Sequence, residues 1–239
     1  MSCSIAALCI DANDPLRLAH FWAGVLGFAV LDGPAERITL EPNDDTGFCI
    51  QFRASTQRKI AKNQMHFDLT SASLEDQQRT VDTALSLGAR HIDIGQGPQD
   101  GHVVLADPEG NEFCVIEPDN AFLAECGLIG AISCDGSQDV GYFWSEALDW
   151  PLVWDQDQET AIRSPHGGPK ITWGGPPFTA KIGQNRWHFD VVSNHESQES
   201  EVERLISLGA SRTDDGGGND NDVVLADPDG NEFCVLRAP

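Results

Sequence analysis

The chain has 239 residues, with 38 acidic against 15 basic side chains and a formal net charge of −23. This balance argues against a nucleic-acid partner, since phosphate recognition needs a basic patch, and against an anionic membrane surface. Apolar residues make up 40% of the chain, which is enough for a globular core. We therefore expect a folded protein with a small-molecule partner and no membrane or nucleic-acid partner.

The N-terminus and the cysteines both indicate a cytoplasmic protein. Residues 1–4 (Met-Ser-Cys-Ser) lack the basic start and long apolar run of a signal peptide. The seven cysteines are odd in number, form no Cys-x-x-Cys pair and mostly lie inside apolar runs. This pattern is typical of reduced, strand-borne thiols and not of a disulfide framework.

The first predicted elements are a short strand and a helix. An apolar run at Ile5–Asp11 predicts the strand, and Asp14 followed by Pro15 predicts a capped helix start. Gly27 ends that helix. Its apolar face repeats with helical spacing at Leu18, Phe21, Trp22, Val25 and Leu26.

The pattern then continues with strands and starts again. Three strand-like runs follow the helix, at Ala29–Asp32, Arg37–Leu40 and Phe48–Arg53. A strand at Met65–Thr70 precedes a second helix, which is capped at Ser73 and stopped at Gly88. The residues Asp107-Pro108-Glu109-Gly110 predict a type I turn between the last two strands of this half.

The whole pattern is duplicated. Val103–Val115 recurs almost unchanged 120 residues later as Val223–Val235, and His66-Phe67-Asp68 recurs 122 residues later as His188-Phe189-Asp190. The repeat predicts two domains, at residues 1–120 and 127–239. Each domain holds two strand–helix–three-strand modules, so the chain contains four.

These motifs resemble those of the vicinal oxygen chelate superfamily, which includes glyoxalase I, bleomycin-resistance proteins and extradiol dioxygenases. The resemblance covers nearly the whole chain and is carried by Val25-Leu26-Gly27-Phe28, the His66-Phe67-Asp68-Leu69 strand and the Asp107–Cys114 turn and strand. It is closest to the glyoxalase-like domain branch. The resemblance implies an α+β fold of paired βαβββ modules, in which each half curls its strands into an open, cup-shaped mixed sheet with helices outside. It also implies an internal pseudo-dimer, a homodimer being a further option, and in many relatives a divalent metal in the cup.

Strand alternation predicts which side chains face each cup. In the first half, Phe67 and Phe113 should pack on the core, so His66, Asp68, Glu112 and Cys114 face inward. The second-half equivalents are His188, Asp190, Glu232 and Cys234. The candidate catalytic residues are His66 and His188 as metal ligands or general bases, oriented by Asp68 and Asp190.

The metal-ligand set that the resemblance implies is incomplete here. The four ligand positions of metal-using relatives correspond to Ala7, Gln51, His66 and Cys114, and only the histidine keeps its identity. An alternative set for Zn, Fe, Mn or Ni consists of His66, Glu112, Cys114, His188, Glu232 and Cys234. The competing interpretation is that no metal binds and that the histidines and cysteines serve packing and hydrogen bonding.

Two functions therefore remain open at this point. The first is a glyoxalase-like protein that acts on or binds a small organic molecule, with metal-dependent lyase or dioxygenase chemistry as one form. The second is a metal-free protein of bleomycin-resistance type that sequesters an antibiotic or a metabolite. For a ligand surface we predict the side chains Gln51, Trp154, Trp173 and Trp187. Packing of these tryptophans between the two halves is the alternative.

Overall fold

The computed structural model describes residues 2–97, 100–194, 197–213 and 222–237, and it repeats one βαβββ unit four times. The first module contains β1 (Cys3–Ala12), α1 (Pro15–Leu26), β2 (Ala29–Leu31), β3 (Arg37–Glu41) and β4 (Cys49–Ala54). The second contains β5 (Met65–Leu69), α2 (Leu74–Ser86), β6 (Arg90–His91), β7 (Val103–Ala106) and β8 (Glu112–Val115). The third contains β9 (Ile129–Cys134), α3 (Gln138–Leu148), β10 (Leu152–Gln156), β11 (Glu159–Arg163) and β12 (Lys170–Trp173). The fourth contains β13 (Trp187–Ser193), α4 (Gln198–Ser207), β14 (Ser211–Arg212), β15 (Val223–Ala226) and β16 (Glu232–Leu236).

Local signals place the helix ends where the sequence predicts them. The side chain of Asp14 accepts a hydrogen bond from the Arg17 amide, and Pro15 opens α1. Gly27 ends the helix with a φ of 72°, a left-handed conformation that glycine adopts without strain. Ser73 caps α2 by accepting a hydrogen bond from the Asp76 amide. These predictions are confirmed.

The strands form two eight-stranded mixed sheets, each of which joins one module from each half. Sheet A runs in the order β14-β15-β16-β13-β1-β4-β3-β2, and sheet B in the order β10-β11-β12-β9-β5-β8-β7-β6. Sheet A therefore combines the first and fourth modules, and sheet B combines the second and third. The antiparallel pairs β1–β13 and β5–β9 join the halves at the centre of each sheet.

The α+β fold with two open, cup-shaped sheets is confirmed, but the expectation that each half forms its own cup is wrong. The repeat makes β13 the equivalent of β5, so β1 could pair with either strand using the same side-chain pattern. The structure uses β13, which lies in the other half of the chain. Each cup consequently receives side chains from both halves.

The core is one cluster that draws on all four modules and lies on the faces of the sheets that carry the helices. Trp22 on α1 packs edge-on against Phe67 and Phe113 of the second module, with ring centroids 5.1 and 5.0 Å away. The second half repeats this contact, with Trp144 lying 5.4 Å from Phe189 and 5.0 Å from Phe233. Aromatic packing thus joins the modules within each half, and the Trp187 ring, 4.8 Å from that of Phe67, also packs across the halves. Backbone pairing joins the halves at the centre of each sheet.

A buried ion pair adds a further link between the halves. The turn between β7 and β8 carries Glu109, whose carboxylate accepts hydrogen bonds from the amides of Asn13 and Asp14 before α1. Arg186, just before β13, places Nη2 2.5 Å from Glu109 Oε2. Both side chains are largely buried, at 7% and 9% exposed. This contact brings three of the four modules together.

Within the described residues, none of the helices has the length and apolar character that a membrane crossing requires.

Candidate functional site

The open face of sheet B collects polar side chains at its centre, where β5 lies between β8 and β9. His66 on β5 lies opposite Ser133 on β9. Asp68, two residues further along β5, lies opposite Ala131 on one side and Cys114 on the other. Because alternate residues of a strand point to one face, His66 and Asp68 share the cup with Ser133 and Cys114.

Three of these side chains approach one another closely enough to hold a metal ion. One ligand atom each of His66, Asp68 and Cys114 lies within 4.8 Å of the other two. The separation between His66 Nε2 and Asp68 Oδ1 is 3.4 Å. The Ser133 hydroxyl donates to Asp68 Oδ2 at 2.5 Å, and Thr172 Oγ1 lies 3.3 Å from Ser133 Oγ. We call His66, Asp68 and Cys114 the sheet B cluster.

The electrostatics of this cluster favour an ionised carboxylate beside a protonated thiol. Burial by itself raises the pKa of Asp68, but hydrogen bonds from His66 and Ser133 outweigh it and hold the pKa below its ordinary value. Burial and the neighbouring Asp68 raise the pKa of Cys114 far above that of a free thiol. A metal that bound Cys114 would therefore displace a proton.

Sheet A carries an equivalent group. Cys9 on β1 lies opposite His188 on β13 and beside Gln51 on β4. Asp190 follows His188 and lies beside Cys234 on β16. One ligand atom each of Cys9, His188 and Asp190 lies within 4.8 Å of the other two, so these residues form the sheet A cluster.

An arginine changes the chemistry of the sheet A cluster. Arg53 on β4 forms an ion pair with Asp190, and its Nη1 lies 3.4 Å from His188 Nε2. The Asp190 side chain is only 1% exposed, and the Arg53 guanidinium already balances its charge. The register makes Gly174 the counterpart of Arg53 in sheet B, since Gln51 corresponds to Thr172. The sheet A cluster does not fit a divalent cation, whereas the sheet B cluster does.

The two predicted glutamate ligands lie outside the clusters. The Glu112 carboxylate is 2.7 Å from Lys59 Nζ, and Glu232 is 2.5 Å from Lys181 Nζ. Each glutamate begins its strand and forms an ion pair with a lysine from the loop that precedes its module. The predicted grouping of Ala7 and Gln51 with His66 and Cys114 also fails, because the first two lie in sheet A and the last two in sheet B.

The predicted aromatic surface divides into exposed and buried members. Trp173 and Trp187 are 2% and 1% exposed, and Trp187 packs 4.8 Å from Phe67 in the core. These two therefore offer no surface to a ligand. Trp154 is 37% exposed on the open face of sheet B and lies 5.9 Å from Phe122, which comes from the segment joining the two halves. Lys170 Nζ lies 4.0 Å above the same Phe122 ring.

Arg53 and Ser133 contact the two clusters, and sequence reasoning did not select them as site residues. Both face a cup by alternation, yet neither lies in a motif of the repeat. A residue-by-residue alignment of the two halves would have identified both, because Arg53 aligns with Gly174 and Ser133 aligns with Cys9. Differences between two copies of a site show where their chemistry has diverged.

Acidification is expected to destabilise the protein partly through His188. Burial lowers the pKa of His188 to about 4, and Arg53 adds to this effect while Asp190 and Glu232 oppose it. Below pH 6.5 the His188 imidazole is protonated in the unfolded chain but stays neutral in the folded chain until the pH nears 4. The free energy of unfolding therefore falls as the pH drops from 6.5 towards 4. His188 should contribute about 2 kcal/mol to the loss between pH 7 and pH 5. Urea unfolding at both pH values measures this, and His188→Asn should lose correspondingly less stability than the native protein; equal losses would contradict the assignment.

The fold and the paired clusters define a small-molecule-binding protein built from tandem βαβββ modules. The sequence profile described as a glyoxalase-like domain matches residues 7–116 and again residues 130–236. The chain therefore belongs to the glyoxalase-like domain family, within the vicinal oxygen chelate superfamily, and carries two tandem copies of the domain. Members of this family bind small-molecule substrates.

Solved structures share the fold at low sequence identity. Glyoxalase I from Zea mays is 14% identical with a TM-score of 0.63, and the alignment covers 99% of this chain and 92% of that one. The V278E mutant of the same protein is 15% identical with a TM-score of 0.63, over 99% and 92% of the two chains. A putative dioxygenase from Bacillus subtilis is 14% identical with a TM-score of 0.62, over 99% of this chain and 86% of that one. A comparison with curated proteins gave no match.

Proposed function

We propose that the protein is a metal-dependent enzyme that acts on a small organic molecule on the open face of sheet B. The observation that supports this proposal is the convergence of His66, Asp68 and Cys114 within 4.8 Å, with no arginine in the position that Arg53 takes in sheet A. Imidazole, carboxylate and thiolate together suit Zn²⁺ or Fe²⁺. Three protein ligands would leave coordination positions for a substrate.

The residues of the cluster have distinct tasks in this proposal. His66, Asp68 and Cys114 would hold the metal, which supplies Lewis-acid polarisation of substrate oxygen atoms. Ser133 donates to Asp68 and thereby orients its carboxylate, and Thr172 lies next to Ser133. Lyase and dioxygenase chemistry are the two classes that this arrangement supports.

Metal analysis tests the proposal without needing a substrate. We expect the protein to retain about one equivalent of Zn²⁺ per chain after incubation with zinc sulfate and dialysis, as measured by plasma mass spectrometry. His66→Ala should abolish retention because it removes one of three ligands, and uptake should release a proton from Cys114. His188→Ala is the matched control, since it removes the equivalent histidine of sheet A.

Two results would overturn the assignment. The first is zinc retention that survives His66→Ala, and the second is retention that His188→Ala abolishes. Thermal unfolding of each variant, followed by circular dichroism, shows whether a loss of metal reflects a loss of fold.

The alternative is a metal-free protein that sequesters an aromatic ligand, and one observation favours it. Trp154 presents an exposed ring beside Phe122 on the open face of sheet B, and such a pair can stack against a flat molecule. A panel of aromatic drugs and metabolites would then quench tryptophan fluorescence, and Trp154→Ala would remove the response. Quenching without any zinc retention would favour this alternative over the enzyme.

A further inference from the structure

The open face of sheet A carries a pair of arginines that sheet B lacks. Arg37 on β3 lies directly opposite Arg53 on β4. Since Arg53 points to the face that holds His188 and Asp190, its register partner Arg37 belongs to the same face. Facing residues of an antiparallel pair have Cβ atoms about 5 Å apart.

The two copies of the site differ in charge at these positions. Ile38 on β3 pairs with Phe52, and Thr160 on β11 pairs with the equivalent residue of sheet B, Trp173. One residue before these pairs, Arg37 of sheet A corresponds to Glu159 of sheet B. One residue after them on the partner strand, Arg53 corresponds to Gly174. Sheet A thus has two guanidinium groups where sheet B has one carboxylate and no side chain. The chain has only 15 basic residues and a net charge of −23, so this pairing concentrates positive charge against the overall balance of the protein.

The first arginine is held in place by its neighbours. Asp190, almost fully buried, forms an ion pair with Arg53, and Gln51 Oε1 lies 3.4 Å from its Nη2. His188 lies beside it without adding charge at neutral pH, because burial lowers the pKa of its imidazole to about 4. Arg53 is therefore a fixed group whose side chain remains 17% exposed to the cup.

The second arginine has no counter-ion. Within the described parts of the chain, the half-buried Arg37 side chain forms neither an ion pair nor a hydrogen bond. Asp11 on β1 lies next to Arg53, and burial raises the pKa of its carboxyl, although Arg186 and then Arg53 act in the opposite direction. Like charges opposite one another destabilise a strand pair, and an anion bound between them removes that repulsion.

We propose that the open face of sheet A binds the carboxylate group of a small organic anion between Arg37 and Arg53, without a metal ion. A guanidinium presents paired N–H donors whose spacing matches the two oxygens of a carboxylate. The two cups of the protein then bind different chemical groups. The proposal rests on the proposed function only in placing a small molecule on the open face of a sheet; the metal of sheet B is not part of it.

Benzoate and its neutral analogue benzamide test the proposal on the full-length protein. The Nε–Hε signals of arginine in ¹H–¹⁵N spectra, assigned by comparison with Arg37→Gln and Arg53→Met, report on each guanidinium. We expect benzoate to shift both signals and benzamide to leave them in place. Arg37→Gln should weaken benzoate binding by about tenfold or more, since it removes one charge-assisted contact. Glu159→Gln, the equivalent position of sheet B, should leave the affinity unchanged.

Arg37→Lys provides a second variant, because it keeps the charge but loses the paired donors, and its affinity should lie between those of the native protein and Arg37→Gln. Benzamide binding as tightly as benzoate would overturn the proposal, and so would unchanged benzoate affinity in Arg37→Gln. Zinc retention measured on the same samples reports on sheet B separately. A failure of anion binding with normal zinc retention would leave the proposed function intact.

Discussion

Replacing Arg186 by leucine is expected to lower the free energy of unfolding by about 3 to 5 kcal/mol. The substitution removes the cation that faces Glu109 and leaves a carboxylate that is only 9% exposed. It also removes hydrogen bonds from the guanidinium to the backbone oxygens of Gln57 and Asp11. The two amide donors before α1 would still bind Glu109, which places the expected loss near the lower end of this range.

The repeat provides the control for this experiment. Gln64 occupies the equivalent position of the first half, and its side chain makes one long contact of 3.5 Å to the oxygen of Thr179. Gln64→Leu should therefore change the stability much less than Arg186→Leu. Urea unfolding followed by circular dichroism measures both. Equal losses in the two variants would show that the buried ion pair does not link the halves energetically.

Replacing Asp190 by alanine should lower the free energy of unfolding by about 3 kcal/mol, because it leaves the Arg53 guanidinium in the cup without a carboxylate. The Asp190 side chain is 1% exposed and has Arg53 as its cationic partner. Asp68→Ala is the matched variant in sheet B. It should have a smaller effect, since Asp68 is 18% exposed and its partners are Ser133 and His66 and not an arginine.

A double variant separates the ion pair from simple loss of packing. If the uncompensated arginine causes the loss, Arg53→Met combined with Asp190→Ala should recover much of the stability, since no buried charge then remains. Losses that merely add in the double variant would instead indicate that Asp190 acts by filling space. Chemical denaturation at pH 7 should be carried out on the native protein, Asp190→Ala, Arg53→Met and the double variant.

Sequence alone was sufficient for elements that depend on neighbouring residues. The start of α1 follows from Asp14 and Pro15, its end from Gly27, and the buried Trp22 from helical spacing, because each depends on interactions within a few residues. The four modules follow from the repeat. Alternation along β5 also predicted that His66 and Asp68 share one face, and in the structure His66 Nε2 lies 3.4 Å from Asp68 Oδ1.

The pairing of the sheets could not be predicted in the same way. Since β5 and β13 carry the same His-Phe-Asp pattern, the two possible partners of β1 present equivalent side chains. The difference between them depends on contacts such as that of Arg186 with Glu109, which are 77 residues apart. The ion pair of Arg53 with Asp190 joins residues 137 positions apart, so it could not be predicted from the sequence either.

The exchange of modules between the sheets constrains how the two copies can evolve. Residues 49–54 of the first half serve sheet A, while residues 65–69 of the same half serve sheet B. Neither half can therefore be inherited, lost or recombined as the owner of one site. Arg53 has diverged from its counterpart Gly174, and its ion-pair partner Asp190 lies in the opposite half. A change in one copy can therefore require a compensating substitution in the other half, so selection acts on the duplicated gene as one unit.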